Sequence, residues 1–395
     1  MVTIASLRNR FRLAAGVAAG VLTVSLLAGC GSSETTSGIA SSLGDAEGSL
    51  NLIAWPGLVE NGSTDSSVDW VRPFEQRTGC KVSVKTVTSS EQMRDLIDSN
   101  AYDGVSAPGE LSGELINNGS AEPINTELVK NYRDVVPGLR MQPWNSFEGH
   151  AYGAPLGRSA SLLTWRSDQV KAAPVSLAPL FAADSSYRQK VMIRDDAASL
   201  AAAALALRTT KPELKIGNPY ALNREQFSAV IEQMRVAQQI TNLYWSDYTE
   251  QVRAFEDGSS VIGLANQAVT SLMQARGTKV QTVLPDSGTV GSSDTWMLLR
   301  GAKHPSCMYR WMDHVLDAKI NAQISEYYGQ APAVPGACAN TVDKNFCQAY
   351  HAIDESYYRS VWIATAPQRR CVDGRNEACV AYPDWHRAWQ QLRAG

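Results

Sequence analysis

The sequence lacks the features that mark many functions. It has no excess of basic charge: 36 Lys and Arg stand against 39 Asp and Glu, a formal net charge of −3. Arg8, Arg10 and Arg12 lie ahead of any acid, so the body that follows them is more acidic still. A nucleic-acid partner calls for a basic face, and none is expected. After residue 30 no apolar run approaches the ~20 residues of a membrane-spanning helix. His150, His304, His314, His351 and His386 are scattered and no Cys-x-x-Cys pair occurs, so no metal site is expected. The chain has no H-E-x-x-H and no P-loop lysine. The string nearest to G-x-S-x-G, Gly157-Arg158-Ser159-Ala160-Ser161, lacks the final glycine. Neither an enzyme nor a bound cofactor is predicted.

What is present is an ordinary globular balance, 44% apolar and 19% charged, which excludes wholesale disorder. A length of 395 residues allows two domains. Residues 1–29 read as an export signal: three arginines, an apolar stretch from Leu13 to Leu27, then small residues. The run ends Leu27-Ala28-Gly29-Cys30, which matches the bacterial lipobox. Cleavage before Cys30 and acylation of its thiol would anchor the protein to the outer face of a membrane. Residues 30–49 are rich in Ser, Gly and Thr and read as a flexible tether.

Of seven cysteines, six remain after Cys30. An even number outside the cytoplasm points to disulfides. Cys338 with Cys347 and Cys371 with Cys379 are close in sequence and pair locally, which leaves Cys80 with Cys307 by elimination.

From residue 50 strand and helix patterns alternate. Asn51–Trp55, Lys81–Val87 and Tyr102–Ser106 read as strands. Between them Val68, Val71 and Phe74 recur at helical spacing up to Gly79, and Ser89 or Ser90 precedes a helix with Met93, Leu96 and Ile97 on one face. This order predicts a parallel sheet covered by helices. A second α/β block follows. Strands are expected at Val191–Ile193, Val261–Ala265, Val280–Leu284 and Trp296–Leu299. Helices are expected after Asp195-Asp196, after Asn223 and from Pro305. In such sheets ligands bind beyond the carboxyl ends of strands.

Taken in order, several strings resemble the spermidine/putrescine-binding proteins of ABC importers, a group within the two-lobed extracellular solute-binding superfamily. They are AWPGLVENG (54–62), FEQRTGCKV (74–82), SSEQM (89–93), YDGVSAPGEL (102–111), YGAPLG (152–157), RDDAASL (194–200), the stretch from Val283 to Leu298, and YYGQAPAVP (327–335). The resemblance implies an α/β, type II periplasmic-binding-protein-like fold. Lobe 1 would hold 50–157 and about 295–325, and lobe 2 would hold 158–290 and about 326–395, including the cysteine-bearing tail. The chain would cross between lobes near Pro155–Ser161 and Pro285–Trp296. It also implies a monomer that closes on a small polyamine-like solute and docks on permease subunits.

The resemblance implies a ligand set as well. Trp55 sits where the family places an aromatic, at the end of the first strand, and Asp196 matches a family carboxylate. Asp294 lies in the second crossing. Tyr328 and Gln330 belong to the cleft-edge segment. Glu110 sits on the turn after the third strand, and Trp245 and Asp247 precede the strand at 261–265. Capping, turn formation or core packing explains several of these equally well. The chain also departs from the family: Gly263–Ala268 carries neither aromatic nor acid, Gly109 and Leu111 replace a Ser and a Tyr, and Ser199 replaces a Glu. Fewer carboxylates imply a ligand with fewer positive charges than spermidine.

Overall fold

The computed structural model describes residues 39–394; Cys30 and the expected export signal lie outside them. Two sheets form the centres of two lobes. The first lobe contains β1 (Ser49–Ala54), β2 (Lys81–Thr86), β3 (Gly104–Ala107), β6 (Ala154–Pro155) and β13 (Thr295–Leu298), in the order β2-β1-β3-β13-β6, with a small β4 (Ser146–Phe147)–β5 (His150–Ala151) hairpin beside it. The second contains β7 (Gly157–Arg166), β8 (Val191–Arg194), β9 (Thr241–Trp245), β10 (Ile262–Asn266), β12 (Thr289–Ser292) and β15 (Val361–Ile363). Their order is β15-β12-β7-β10-β8-β9, and β11 (Val280–Val283) and β14 (Ala331–Pro332) also pair with β7.

Helices α1 (Val71–Thr78), α2 (Ser90–Ile97), α3 (Gly109–Asn117), α8 (Pro305–Val315) and α9 (Ala318–Tyr328) cover the first sheet, while α4 (Ser199–Thr210), α5 (Arg224–Gln238), α6 (Tyr248–Asp257) and α7 (Gln267–Ala275) cover the second. The tail adds α10 (Phe346–Ala349), α11 (Glu355–Tyr358) and α12 (Tyr382–Ala394). Local chemistry accounts for many ends. Gly79 closes α1 at φ 77°, the Ser89 side chain accepts the Gln92 N–H ahead of α2, and Asn223 with Gln226 forms a capping box on α5.

The first sheet is mixed, not wholly parallel. β1 runs parallel to β2 and β3, but β13 is antiparallel to both β3 and β6. The difference arises because β13 enters from the other lobe, so its direction is set by the crossing and not by a β-α-β turn. The lobe boundary near residue 326 also shifts. Ala322 and Ile324 of α9 and the later Ala333, Val334 and Ala337 all lie in the first lobe's core, with Trp70, Trp296 and Trp311.

Cys80 is joined to Cys307, Cys338 to Cys347 and Cys371 to Cys379. The first bridge spans 227 residues and links α1's end to α8. Residues 40–48, expected as part of a flexible tether, are instead seated on the first lobe. Ala40, Leu43 and Ala46 pack against its core. The Glu47 carboxylate accepts the Ser306 and Cys307 N–H groups, both at 2.8 Å. These are the exposed donors of a helix start whose own N-cap, His304, supplies no side-chain bond. Composition hid this docking, because one acid in a Ser/Gly-rich stretch carries no periodic signal.

The chain passes between lobes at three adjacent places. Leu156 N–H donates to the Asp294 carbonyl at 2.9 Å. The Asn321 amide, fully buried, donates to the Leu156 carbonyl at 3.0 Å and accepts from Ala333 N–H at 3.0 Å. A Cβ on Gly157 would fall 2.4 Å from the Ala331 carbonyl oxygen, so only glycine lets the first and third passages touch. If Glu47 caps α8, Glu47→Ala lowers the unfolding free energy by about 1 kcal/mol. Urea unfolding of the oxidised protein tests this, and an unchanged midpoint would leave the cap without energetic weight.

Candidate functional site

Near the three crossings, acids from both lobes come within electrostatic reach of one another. Glu110 stands in the first turn of α3, 7% exposed. Asp294 sits in the second crossing, also 7% exposed, and accepts the Tyr328 hydroxyl at 3.2 Å. Asp196 follows β8; one carboxylate oxygen accepts the Ala198 N–H at 2.7 Å and the other lies 3.8 Å from the Arg194 guanidinium. Arg194 keeps 52% of its side chain accessible. Burial works against its charge, but the Asp196 and Glu110 charges outweigh this and raise its pKa.

The electrostatics bind these groups into one site. Burial pushes the Glu110 carboxyl up, the neighbouring Asp196 charge adds to this, and Arg194 and Arg94 oppose it. Burial raises Asp294 to about 7; the Tyr328 hydroxyl opposes the rise, Glu110 adds to it and Arg194 opposes it. The Tyr220 and Tyr328 hydroxyls are held protonated, chiefly by burial and then by the adjacent carboxylates. Among the described residues neither Glu110 nor Asp294 has a salt-bridge partner. Gln330, 4% exposed, leaves its Nε2 without a hydrogen-bond partner beside Gly157, and the buried Ser293 hydroxyl next to Asp294 is likewise unpaired.

Of the residues singled out from sequence, Glu110, Asp196, Asp294 and Tyr328 come together here, with Gln330 at the hinge beside them. Trp55 is half-buried against both core clusters of the first lobe. Its loop reaches the site edge: a Cβ on Gly57 would lie 3.5 Å from Tyr327 and 3.7 Å from Tyr328. Trp245 packs at the end of β9, where its carbonyl accepts the Asp195 N–H at 2.8 Å. Asp247 is exposed and completes a capping box on α6 with Glu250, which accounts for its presence without a ligand.

Sequence reasoning passed over Arg194 and Tyr220. Arg194 could have been found, since it opens the RDDA string at a strand's carboxyl end. Tyr220 lies in a loop, where no local pattern marks it. A depression of about 470 Å³ lies between α5 and α12, lined by Arg235, Gln238 and Gln391 among others. It gathers no buried acid, and the region of Glu110 and Asp294 is the better candidate on chemistry.

Ionising Asp294 opposes folding, because its folded-state pKa of about 7 exceeds the ordinary 3.8. That cost is absent below pH 4, grows as pH rises, and is complete above pH 7. Asp294→Asn removes it. Scanning calorimetry of the solute-free protein is expected to show a higher melting temperature for the variant at pH 8, with a smaller gain at pH 5. A lower melting temperature at pH 8 would contradict the assignment.

Comparison with known proteins places this geometry in context. The chain is 21% identical over 291 residues to a putrescine/cadaverine-binding protein of Pseudomonas aeruginosa, covering 69% of this chain and 77% of that one. Its fold is similar to that of the spermidine/putrescine ABC transporter substrate-binding protein of Streptococcus pneumoniae, at a TM-score of 0.68 and 15% identity, covering 87% of this chain and 99% of that one. It is equally similar to the PotD lipoprotein of Treponema pallidum, at 0.68 and 15%, covering 88% and 100%. The family described as bacterial extracellular solute-binding protein matches residues 69–350. That match spans well over half of the chain, and the chain belongs to this family.

Proposed function

We propose that the protein is the lipid-anchored receptor of an ABC importer, that it takes up a short amine of the putrescine class, and that it hands this amine to a permease. One observation carries the reading. Glu110 and Asp294, each 7% exposed, lie close enough for the charge of one to raise the pKa of the other, and among the described residues neither is paired to a protein cation. A buried carboxylate without a partner is costly, and an ammonium group entering the cleft relieves it. Tyrosine faces suit the methylene spacer and add cation–π attraction of roughly 0.5–2 kcal/mol.

The polyamine-binding relatives support this class. Arg194 limits it: one positive charge is already built into the cleft, so the ligand carries one or two charges and not the three of spermidine. The same arginine favours a second reading, an amine that also bears a carboxylate, such as 4-aminobutyrate. Binding to both lobes would draw them together, a population shift of the hinged kind. Nothing in this cycle requires a reaction.

Thermal-shift and calorimetric titration of residues 31–395 with putrescine, cadaverine, spermidine, 4-aminobutyrate, sugars and inorganic anions test the reading. A ligand at 1,000 times its Kd stabilises the folded form by about 4 kcal/mol. Putrescine is expected to shift melting, and Glu110→Gln to weaken it at least tenfold. If all the amines are silent while a sugar or anion binds, the amine reading falls. For the anchor, the native precursor is expected in the detergent-soluble membrane fraction, and Cys30→Ser in the aqueous one. Equal partitioning would remove the lipid from the proposal.

A further inference from the structure

The tail beyond residue 350 lies outside the family match, and it touches both lobes. On the second lobe, β15 runs parallel to β12, and the Ala364 N–H donates to the Gly291 carbonyl at 2.9 Å. Farther on, Trp389 Nε1 donates to Asp195 at 3.0 Å, and Arg393 donates to the same carboxylate at 3.0 and 3.2 Å. Trp385, Trp389 and Leu392 are buried in that lobe's core.

The opposite side of the same segment meets α3 of the first lobe. A Cβ on Gly109 would fall 1.8 Å from the Ala364 carbonyl oxygen, and one on Gly113 would fall 3.1 Å from the Ala366 Cβ. Ala364, Thr365 and Ala366 are 7, 4 and 2% exposed. This contact lies on the turn of α3 that carries Glu110. The chain then makes a closed excursion. Cys371 is bridged to Cys379, and the Tyr382 N–H donates to the Pro367 carbonyl at 2.8 Å, returning Tyr382 to the base of the loop.

We propose that residues 361–382 form a strap fastened to both lobes beside Glu110, along one flank of the proposed solute cleft. Solute would then enter from the opposite flank, and opening would be a swing about a restrained edge. The strap stands on contacts alone.

Hydrogen exchange on the full exported chain without solute tests the strap. Residues 364–366 and the first turn of α3 are expected to be protected together. Gly109→Ala, whose methyl must displace the Ala364 backbone, is expected to speed exchange at both at least tenfold and to leave β1 and β8 as slow as before. Fast exchange at 364–366 in the native chain, or no change in the variant, overturns the strap; if Gly109→Ala does not fold, Gly113→Val is read by the same criteria.

Discussion

The architecture depends on one crowded place where the backbone goes from lobe to lobe three times. Gly157 makes the crowding possible, since any side chain there would run into the third passage. Asn321 makes it specific. Its buried amide bonds to the first passage at Leu156 and to the segment just after the third at Ala333 and Val334. A buried amide with its hydrogen bonds met fixes which strands lie side by side, because any other register would leave donors and acceptors unpaired in a dry setting. Asp294 is therefore delivered to the cleft by backbone geometry, and its burial follows from its position in the hinge.

This origin explains why stability and binding pull against each other in the site. Carboxylates at Glu110 and Asp294 are held where water cannot solvate them well. The fold tolerates them because large apolar cores on both sides outweigh the local cost. Trp296, Trp311 and Phe74 pack edge-to-face in the first lobe, with ring centroids 5.1 Å apart for Phe74–Trp311 and 5.7 Å for Trp296–Trp311. An Ala-rich α4, buried along most of its length, does the equivalent service in the second. The strained chemistry is thereby confined to a seam between two well-packed bodies.

Much of this was legible in the residues. Local signals placed α1, α2, α5 and α8, because capping residues, Gly79 and Pro305 act over three or four positions. The short apolar strands were visible for the same reason. The mixed character of the first sheet was not, since β13 owes its direction to a partner nearly two hundred residues away in sequence. Within the site, acids at strand ends and in the crossing stood out. Arg194 was overlooked beside two more conspicuous aspartates, and Asp247 stood out for a property that its capping role fully explains. The return of the tail to α3 at Gly109 and Gly113 joins residues about 250 positions apart, and no periodicity encodes such a return.

The seating of residues 40–48 on the first lobe bounds how far the proposed receptor could stand from its proposed anchor. Were Cys30 acylated, the nine residues between it and Ala40 would allow a span of at most roughly 35 Å, whatever path the chain takes. An anchored receptor would then be held in a thin shell over the bilayer, and its search for a permease would be close to two-dimensional.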